Sequence, residues 1–348
     1  MKKYYTRACN FYYGQNSVEK IKTKTALPLN GNKFISFDSL EIINKNGSKI
    51  YHIKSIKKLN KKIKKKINSD LKKITKKKFL KKINLLDTPI LMGVINMTPD
   101  SFSDGGKYNK KKLAFEYAKY LVSRGCKIID IGGESTRPGA KDVKANIEWQ
   151  RISGALKKIK KLNKPISIDT RKGFVMEKAI KNKINIINDV SGLRYDPKTI
   201  QILKKTKIPF VIHHMQGTPL TMQKKPKYKN VLTEIYDFFE KRIKELRELG
   251  IYHNNIILDP GIGFGKNLKH NITLIKKISL FHSLGFPIMI GTSRKRFIKD
   301  LSGINDSKER LGGTVSSSIY AMLQGVQILR VHNINEVNQS LKVFRSLI

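Results

Sequence analysis

The chain has 348 residues, with 71 Lys plus Arg against 26 Asp plus Glu, a formal net charge of +45. At 39% hydrophobic and 28% charged, and with no apolar run near the ~18 residues of a membrane helix, it is neither membrane-embedded nor wholly disordered. The charge invites a polyanion, but 58 of the cations are Lys and 13 are Arg, and with 46 Ile and 25 Asn this reads as the spelling of an AT-rich genome rather than as a nucleic-acid or membrane partner.

The N-terminus, Met1-Lys2-Lys3, is basic, but Tyr4 to Gly14 mixes aromatic and polar residues and is not the apolar core of a signal peptide. Cys9 and Cys126 lie far apart and fit neither a zinc site nor a disulfide framework, which points to a reduced, cytoplasmic setting. Residues 1–88 carry 24 basic and 5 acidic side chains and are read as an extension. Within them, Phe34 to Ile43 and Lys49 to Ile56 read as strands around a turn at Asn46-Gly47. Leu59, Ile63, Ile67, Leu71 and Ile74 then recur every three to four residues, the apolar stripe of a basic helix. Docking of that stripe on the main domain is favoured over a helix lying on an anionic membrane.

From Leu91 short apolar runs alternate with longer amphipathic stretches. The runs are Leu91–Ile95, Ile128–Ile131, Pro165–Ile168, Ile184–Ile187, Phe210–Ile212, Ile256–Leu258, Pro287–Ile290 and Ile328–Val331. Helical patterns cover Lys111–Arg124, Val143–Leu162, Val231–Leu249 and Glu309–Leu323. Eight strands with intervening helices over residues 89–348 are the count and size of a (β/α)8 barrel, an α/β fold, with a doubly wound open sheet as the rival.

Chemistry in such a barrel sits at the carboxyl ends of the strands. After successive runs come Asn96; Gly132-Gly133-Glu134 with Thr136-Arg137; Asp169; Asn188-Asp189; His213-His214-Met215; Asp259; Gly291 through Lys295; and Arg330 with His332. Any one of these is an ordinary cap, but a complete ring points to an active site. Asp169, Asn188 and Asp259 suit a flat heterocycle with an amino group beside a ring N–H, because carboxylates accept from both donors. Lys295, Arg330, Arg137 and His332 suit a phosphate or diphosphate. The segment Gly261 to Lys266 mimics a phosphate loop, but Pro260 and Asn267 break that pattern. Gly291 to Lys295 lacks the closing Gly of a nucleophile elbow. Of His213 and His214, alternation sends one to the core and the other to the mouth.

At these residues the chain closely resembles the dihydropteroate synthases. The resemblance is carried in order by Met92 to Gly106, Ile129 to Gly139, Ser167 to Thr170, Ile187 to Asp189, His214 to Pro219, Leu258 to Lys266, Gly291 to Lys295 and Arg330 to His332. It implies a transferase of folate biosynthesis that joins 6-hydroxymethyl-7,8-dihydropterin diphosphate to 4-aminobenzoate, giving 7,8-dihydropteroate and diphosphate. By motif, Asp169, Asn188, Asp259 and Lys295 would hold the pterin, with Met215 and Gly291 against it. Asn96, through Mg²⁺, with Arg330 and His332 would bind diphosphate. Thr136, Arg137, Phe264 and Ser293 would frame the aminobenzoate, with Phe102 closing over it. Lys295, Asp169 and Arg330 are the residues on which catalysis would rest. The resemblance also implies a homodimer and inhibition by sulfonamides. The opening Tyr4-Tyr-Thr-Arg with Ala26 to Gly31 resembles the extension of alphaproteobacterial members. Asn333 stands where members commonly have an acid, and Arg171-Lys172-Gly173 also departs from the usual pattern. A pterin-binding methyltransferase acting on a corrinoid would share the carboxylates but has no need of Thr136-Arg137-Pro138 or Ser293-Arg294-Lys295. A decayed barrel turned to nucleic-acid or membrane binding would have lost its loops first.

Overall fold

The computed structural model describes residues 3–85, 88–98, 107–136 and 139–348, and side chains from residue 112 onward in the helix that begins at Lys107. The expected sites Phe102 and Arg137 lie outside the described residues. Among the described residues no helix is long and apolar enough to cross a membrane.

Eight parallel strands form one sheet: β5 (Ile90–Asn96), β6 (Ile128–Gly132), β7 (Ile166–Asp169), β8 (Ile186–Asp189), β9 (Phe210–His213), β10 (Ile256–Asp259), β11 (Met289–Ile290) and β12 (Ile328–Val331). Neighbours run β10-β9-β8-β7-β6-β5-β12-β11. The circle closes through a parallel bridge between Leu258 and Ile288, with the Leu258 amide donating to Pro287 O at 2.9 Å. This is the expected (β/α)8 barrel, and all eight apolar runs become its strands. Helices alternate with them: α3 (Lys107–Ser123), α4 (Ala145–Ile159), α5 (Gly173–Lys181), α6 (Lys198–Lys205), α7 (Val231–Glu248), α8 (Leu268–Lys276), α9 (Arg296–Ser302), α10 (Leu311–Leu323) and α11 (Ile334–Leu347). Their apolar sides and the outward-facing strand residues form one continuous buried core, including Ile129, Ile131, Ile168, Ile187, Ile212, Leu258 and Leu329.

The N-terminal segment builds an antiparallel sheet. Strand β3 (Asn32–Asn44) pairs with β1 (Tyr5–Tyr13), β2 (Leu27–Leu29) and β4 (Gly47–His52), and helix α1 (Gly14–Lys22) follows β1. The hairpin turn lies one residue earlier than expected: Asn44 pairs with Gly47, and the Asn44 side chain accepts the Asn46 amide at 2.7 Å, an Asx bend that starts the reversal at Asn44. The second strand stops at His52 rather than Ile56, because the His52 ring accepts the Lys54 amide at 3.2 Å and a 3-10 turn over Ile53–Lys58 tucks Ile56 inward.

The basic stripe becomes α2 (Lys61–Thr75), capped by Asn60, whose side chain accepts the Ile63 amide. Ile67 and Ile74 are fully buried with Ala8, Leu29, Phe37 and Leu40, so the stripe faces protein. The extension is fastened to the barrel by mixed contacts. Tyr5 meets Tyr236 edge-on at 5.2 Å, Ser279 Oγ donates to Ala8 O at 3.0 Å, and Lys277 Nζ reaches Glu41 at 2.6 Å. Gly325, at φ +73°, is obligatory, since a Cβ there would lie 2.3 Å from Leu29 Cδ2. Further on, Leu80 and Ile83 plug the amino-terminal end of the barrel.

Candidate functional site

Side chains alternate across a strand, and in the barrel one set points to the axis. Met92, Ile128, Ile186, Val211, Ile257, Met289 and Ile328 share a buried cluster with Leu80 and Ile83, a dry floor. Two residues further along their strands, on the same face, stand Val94, Asp130, Asn188, His213, Asp259, Gly291 and Arg330. On β7 the same step leads from Ser167 to Asp169. The polar ring is therefore the next layer up from an apolar plug, at the carboxyl ends of the strands.

Arg330 organises this layer. Its Nε donates to Asp130 Oδ2 at 2.7 Å and its Nη2 to Asp169 Oδ2 at 2.8 Å. Asn188 Nδ2 donates to the same Asp130 oxygen at 3.2 Å. The other oxygens, Asp130 Oδ1, Asp169 Oδ1 and Asn188 Oδ1, are buried with no partner among the described residues. A buried orphan acceptor costs about 1–3 kcal/mol, so three on one ring mark a place made for outside donors. Asp259, on β10, is separated from Asn188 by β9, and its Oδ1 accepts the Gly261 amide at 2.8 Å. Burial pushes the carboxyls of Asp169 and Asp259 above the usual range, opposed by Arg330 at Asp169 and by the Gly261 amide and Lys295 at Asp259. For Arg330 burial works against the charge, but Asp130 and Asp169 outweigh it and hold the guanidinium fully protonated.

Lys295 follows β11 and donates from Nζ to Ile262 O at 2.9 Å, with the ammonium 4.2 Å over the Phe264 ring. Burial lowers it to about 8, against the pull of Asp259. Phe264 in turn stands edge-on to His213 at 4.6 Å. His213 is the axial histidine: it lines the recess, and its Nδ1 donates to Val190 O at 3.0 Å, which leaves Nε2 without a proton when the ring is neutral. Burial, with Lys266 and Lys295 nearby, holds the ring neutral. His214 points outward against Phe238 and Tyr228, so the pair divides as alternation requires.

The segment that mimics a phosphate loop does structural work. Gly261 has φ +69°, and a Cβ would lie 2.0 Å from His214 O. Lys266 turns back beneath it, donating to Phe264 O at 2.8 Å and meeting His214 Nδ1 at 3.1 Å. At the other rim, Ser293 Oγ meets His332 Nδ1 at 3.1 Å, and Arg294 donates to Asn333 Oδ1 at 2.9 Å. Asn188, Val190, His213, Asp259, Ile262, Phe264, Gly291, Lys295 and Arg330 enclose a recess of about 20 Å³, room for one water-sized guest. Larger hollows, of about 300 and 430 Å³, lie away from this chemistry.

Thus Asp169, Asn188, Asp259, Gly291, Phe264, Lys295 and Arg330 converge, with Ser293 and His332 bonded to each other beside them. Met215 is buried and its carbonyl accepts from Arg194 at 3.0 Å. Asn96 ends β5, half-buried and opposite Gly132 of β6. Thr136 is half-buried in the loop after β6. Sequence reasoning did not single out Asp130 or choose between the histidines. Asp130 sits inside the run Ile128–Ile131, and the signal was available: it is two residues beyond a plug residue, as Asn188 and Asp259 are. Among the described residues no group of three or more His, Cys, Asp or Glu could hold a metal ion.

Residues 92–332 match the family described as pterin binding enzyme. The chain is 40% identical over 259 residues to the dihydropteroate synthase of Escherichia coli strain K12, covering 74% of this chain and 91% of that one. It is 42% identical over 267 residues to the enzyme of Neisseria meningitidis serogroup B, covering 75% and 94%. Among solved structures, the Yersinia pestis dihydropteroate synthase with a sulfonamide drug complex superposes with a TM-score of 0.72 at 36% identity, covering 76% of this chain and 96% of that one. The Xanthomonas albilineans enzyme in complex with 7,8-dihydropteroate gives 0.68 at 31%, covering 76% and 95%.

Proposed function

The chain belongs to the pterin-binding enzyme family, among the dihydropteroate synthases, and from that premise we propose how its barrel mouth condenses 6-hydroxymethyl-7,8-dihydropterin diphosphate with 4-aminobenzoate. The observation that carries the reading is the ring of buried acceptors, Asp130, Asp169, Asn188 and Asp259, crossed by Arg330 and Lys295 above a dry plug.

The pterin offers an amino group and ring N–H donors, and the orphan oxygens of Asp169 and Asn188, with Asp259, accept them. Lys295 supplies a cation to the same ring, and Met215 and Gly291 border it. Because Arg330 already binds Asp130 and Asp169, its first duty is to fix those carboxylates. Its side chain is 22% exposed, and that edge meets the diphosphate together with His332. Thr136, Phe264 and Ser293 frame the aminobenzoate, and Arg137 and Phe102 are assigned to it by sequence alone.

Asn96 fits a Mg²⁺ site of a particular kind. A single amide oxygen at a strand end, with no carboxylate cage among the described residues, matches an ion held mostly by substrate phosphates and water. Asn96 would hold such an ion, which would supply positive charge to the departing diphosphate. The protein's own groups assist: the cations Arg330 and Lys295, with the His332 ring beside them, stabilise negative charge on the leaving group, so the C–O bond breaks ahead of attack. The carboxylates favour the cation left on the dihydropterin. The aromatic amine of aminobenzoate is unprotonated at neutral pH and attacks the methylene carbon without a strong general base, because the acidic anilinium that forms gives up its proton to water.

We divide the chain at residue 88 into extension and catalytic barrel, place it in a reducing cytoplasm as its two free, buried cysteines support, and expect a homodimer, which light scattering on the purified protein decides. The function is tested with purified protein, Mg²⁺, the pterin diphosphate and 4-aminobenzoate. Release of diphosphate with formation of dihydropteroate, abolished by chelation and restored by Mg²⁺, is the expected result. Folded protein that leaves both substrates intact sinks the proposal.

A further inference from the structure

Behind the loop that follows β6 lies a buried ionic cluster which the chemistry at the mouth does not use. Gly133 seats the start of the loop, since a Cβ there would meet Glu148 O at 2.8 Å, and Arg151 Nη1 holds Gly133 O at 2.9 Å. The next residue, Glu134, uses both carboxylate oxygens. Its Oε1 accepts the Val143 amide at 2.9 Å and Lys172 Nζ at 2.8 Å, and its Oε2 accepts Arg171 Nε at 3.1 Å. Lys172 also reaches Glu148 of α4 at 2.8 Å. Asp142, beside Val143, takes Arg171 and Lys172 at 3.3 Å each and the Tyr195 hydroxyl at 2.5 Å, while the Arg171 guanidinium stacks 4.1 Å over the Tyr195 ring.

The stretch from Glu134 to Val143 is therefore tied at both ends to one short segment, Thr170 to Gly173, which directly follows Asp169 on β7. Thr136 and Arg137 lie, by sequence, inside the tied stretch. The side chains of Glu134, Lys172 and Glu148 are 4%, 7% and 0% exposed. Ions so dehydrated contribute little net stability compared with apolar residues of the same size, and their gain is in fixed geometry. Three carboxylates face two cations, and burial pushes the Glu148 carboxyl up, easing the excess negative charge.

We infer that Glu134 and Lys172 are positioning residues for the second substrate: they set the loop that receives 4-aminobenzoate in register with the Asp169 end of the pterin site. This rests on the proposed framing of aminobenzoate by Thr136 and Arg137. A loop displaced by an ångström costs one substrate its binding geometry and leaves the strand-borne acceptors where they are.

The test is steady-state kinetics on Lys172→Met and Glu134→Gln, each substrate varied against a saturating level of the other. The expected result is a rise on the order of tenfold in KM for 4-aminobenzoate, with KM for the pterin diphosphate unmoved. Should Lys172→Met fail to fold, Arg171→Gln removes a neighbouring tie, and the same split at smaller size is expected. Both KM values unmoved, both raised equally, or a fall in kcat alone overturns the inference. Absence of turnover by the unaltered protein overturns the reading it rests on, whereas turnover without the split overturns this inference alone.

Discussion

Replacing Asp130 by Asn preserves the shape of β6 and removes one charge from beneath the mouth. The carboxylate has no exposed surface and serves Arg330 at 2.7 Å and Asn188 at 3.2 Å through one oxygen. Removing one partner of a fully buried ion pair costs about 3–5 kcal/mol. Here Arg330 keeps Asp169 at 2.8 Å and a side chain 22% exposed, and the new amide oxygen can still accept. The loss is therefore set at about 2 kcal/mol, a factor of roughly 30 in the folding equilibrium. Because the same guanidinium aligns Asp169, kcat/KM for the pterin diphosphate should fall by roughly ten- to thirtyfold, with KM for aminobenzoate little changed. Urea unfolding followed by the single tryptophan, Trp149, which packs on the core, gives the first number, and steady-state turnover gives the second. A stability change under about 0.5 kcal/mol with unaltered kcat/KM would show that Asp169 alone holds Arg330, and the argument for Asp130 would fail.

Lys295→Met should lower kcat/KM by about 10²–10³ without unfolding the barrel, since among the described residues the side chain makes one hydrogen bond, to a loop carbonyl. With its ammonium lowered to about 8, activity should decline above that pH, and Lys295→Arg should move the decline to higher pH. Lys78 is buried, donates to Lys73 O at 2.5 Å, and is pushed down to about 7 by burial and by Lys73 and Lys76. Between that pH and the ordinary lysine value of 10.5 the unfolded chain holds a proton that the folded one has shed. Stability should therefore rise with pH across that window, and Lys78→Met should flatten the slope measured by urea unfolding. Ile67→Ala, on the buried face of α2, should cost about 2–5 kcal/mol, and Lys64→Ala, on the exposed face, under about 0.5. Equal effects would mean that the stripe does not carry the docking of the extension.

The barrel was legible because each strand is a short run of Ile, Val and Leu bounded by polar residues, a pattern set by burial on both faces of a parallel sheet. Even β11, only two residues long, lay inside an expected run. Asp169, Asn188, Asp259 and Lys295 were legible because they end such runs or follow them closely. Asp130 was not, because a charge inside an apolar run is conspicuous only once the strand's parity is known. The extension was half legible. A turn signal between two strand-like runs marked β3 and β4, whereas β1, whose burial runs through consecutive residues at Tyr5-Thr6 and Ala8-Cys9, shows no clean period of two. The Asn44 side chain shifted the turn by one residue, a local competition that composition does not rank.

The sequence by itself determined which chemical groups stand at the carboxyl ends of eight strands, since alternation and strand length are local properties of the chain. Only the tertiary structure decided how those groups pair. Arg330 meets Asp130 across 200 residues of chain because β12 pairs with β5 and so lies next but one to β6. Glu134 meets Lys172 because β6 and β7 are neighbours. Distances between such groups follow from strand order and barrel closure, and those are properties of the assembled sheet that no segment carries alone.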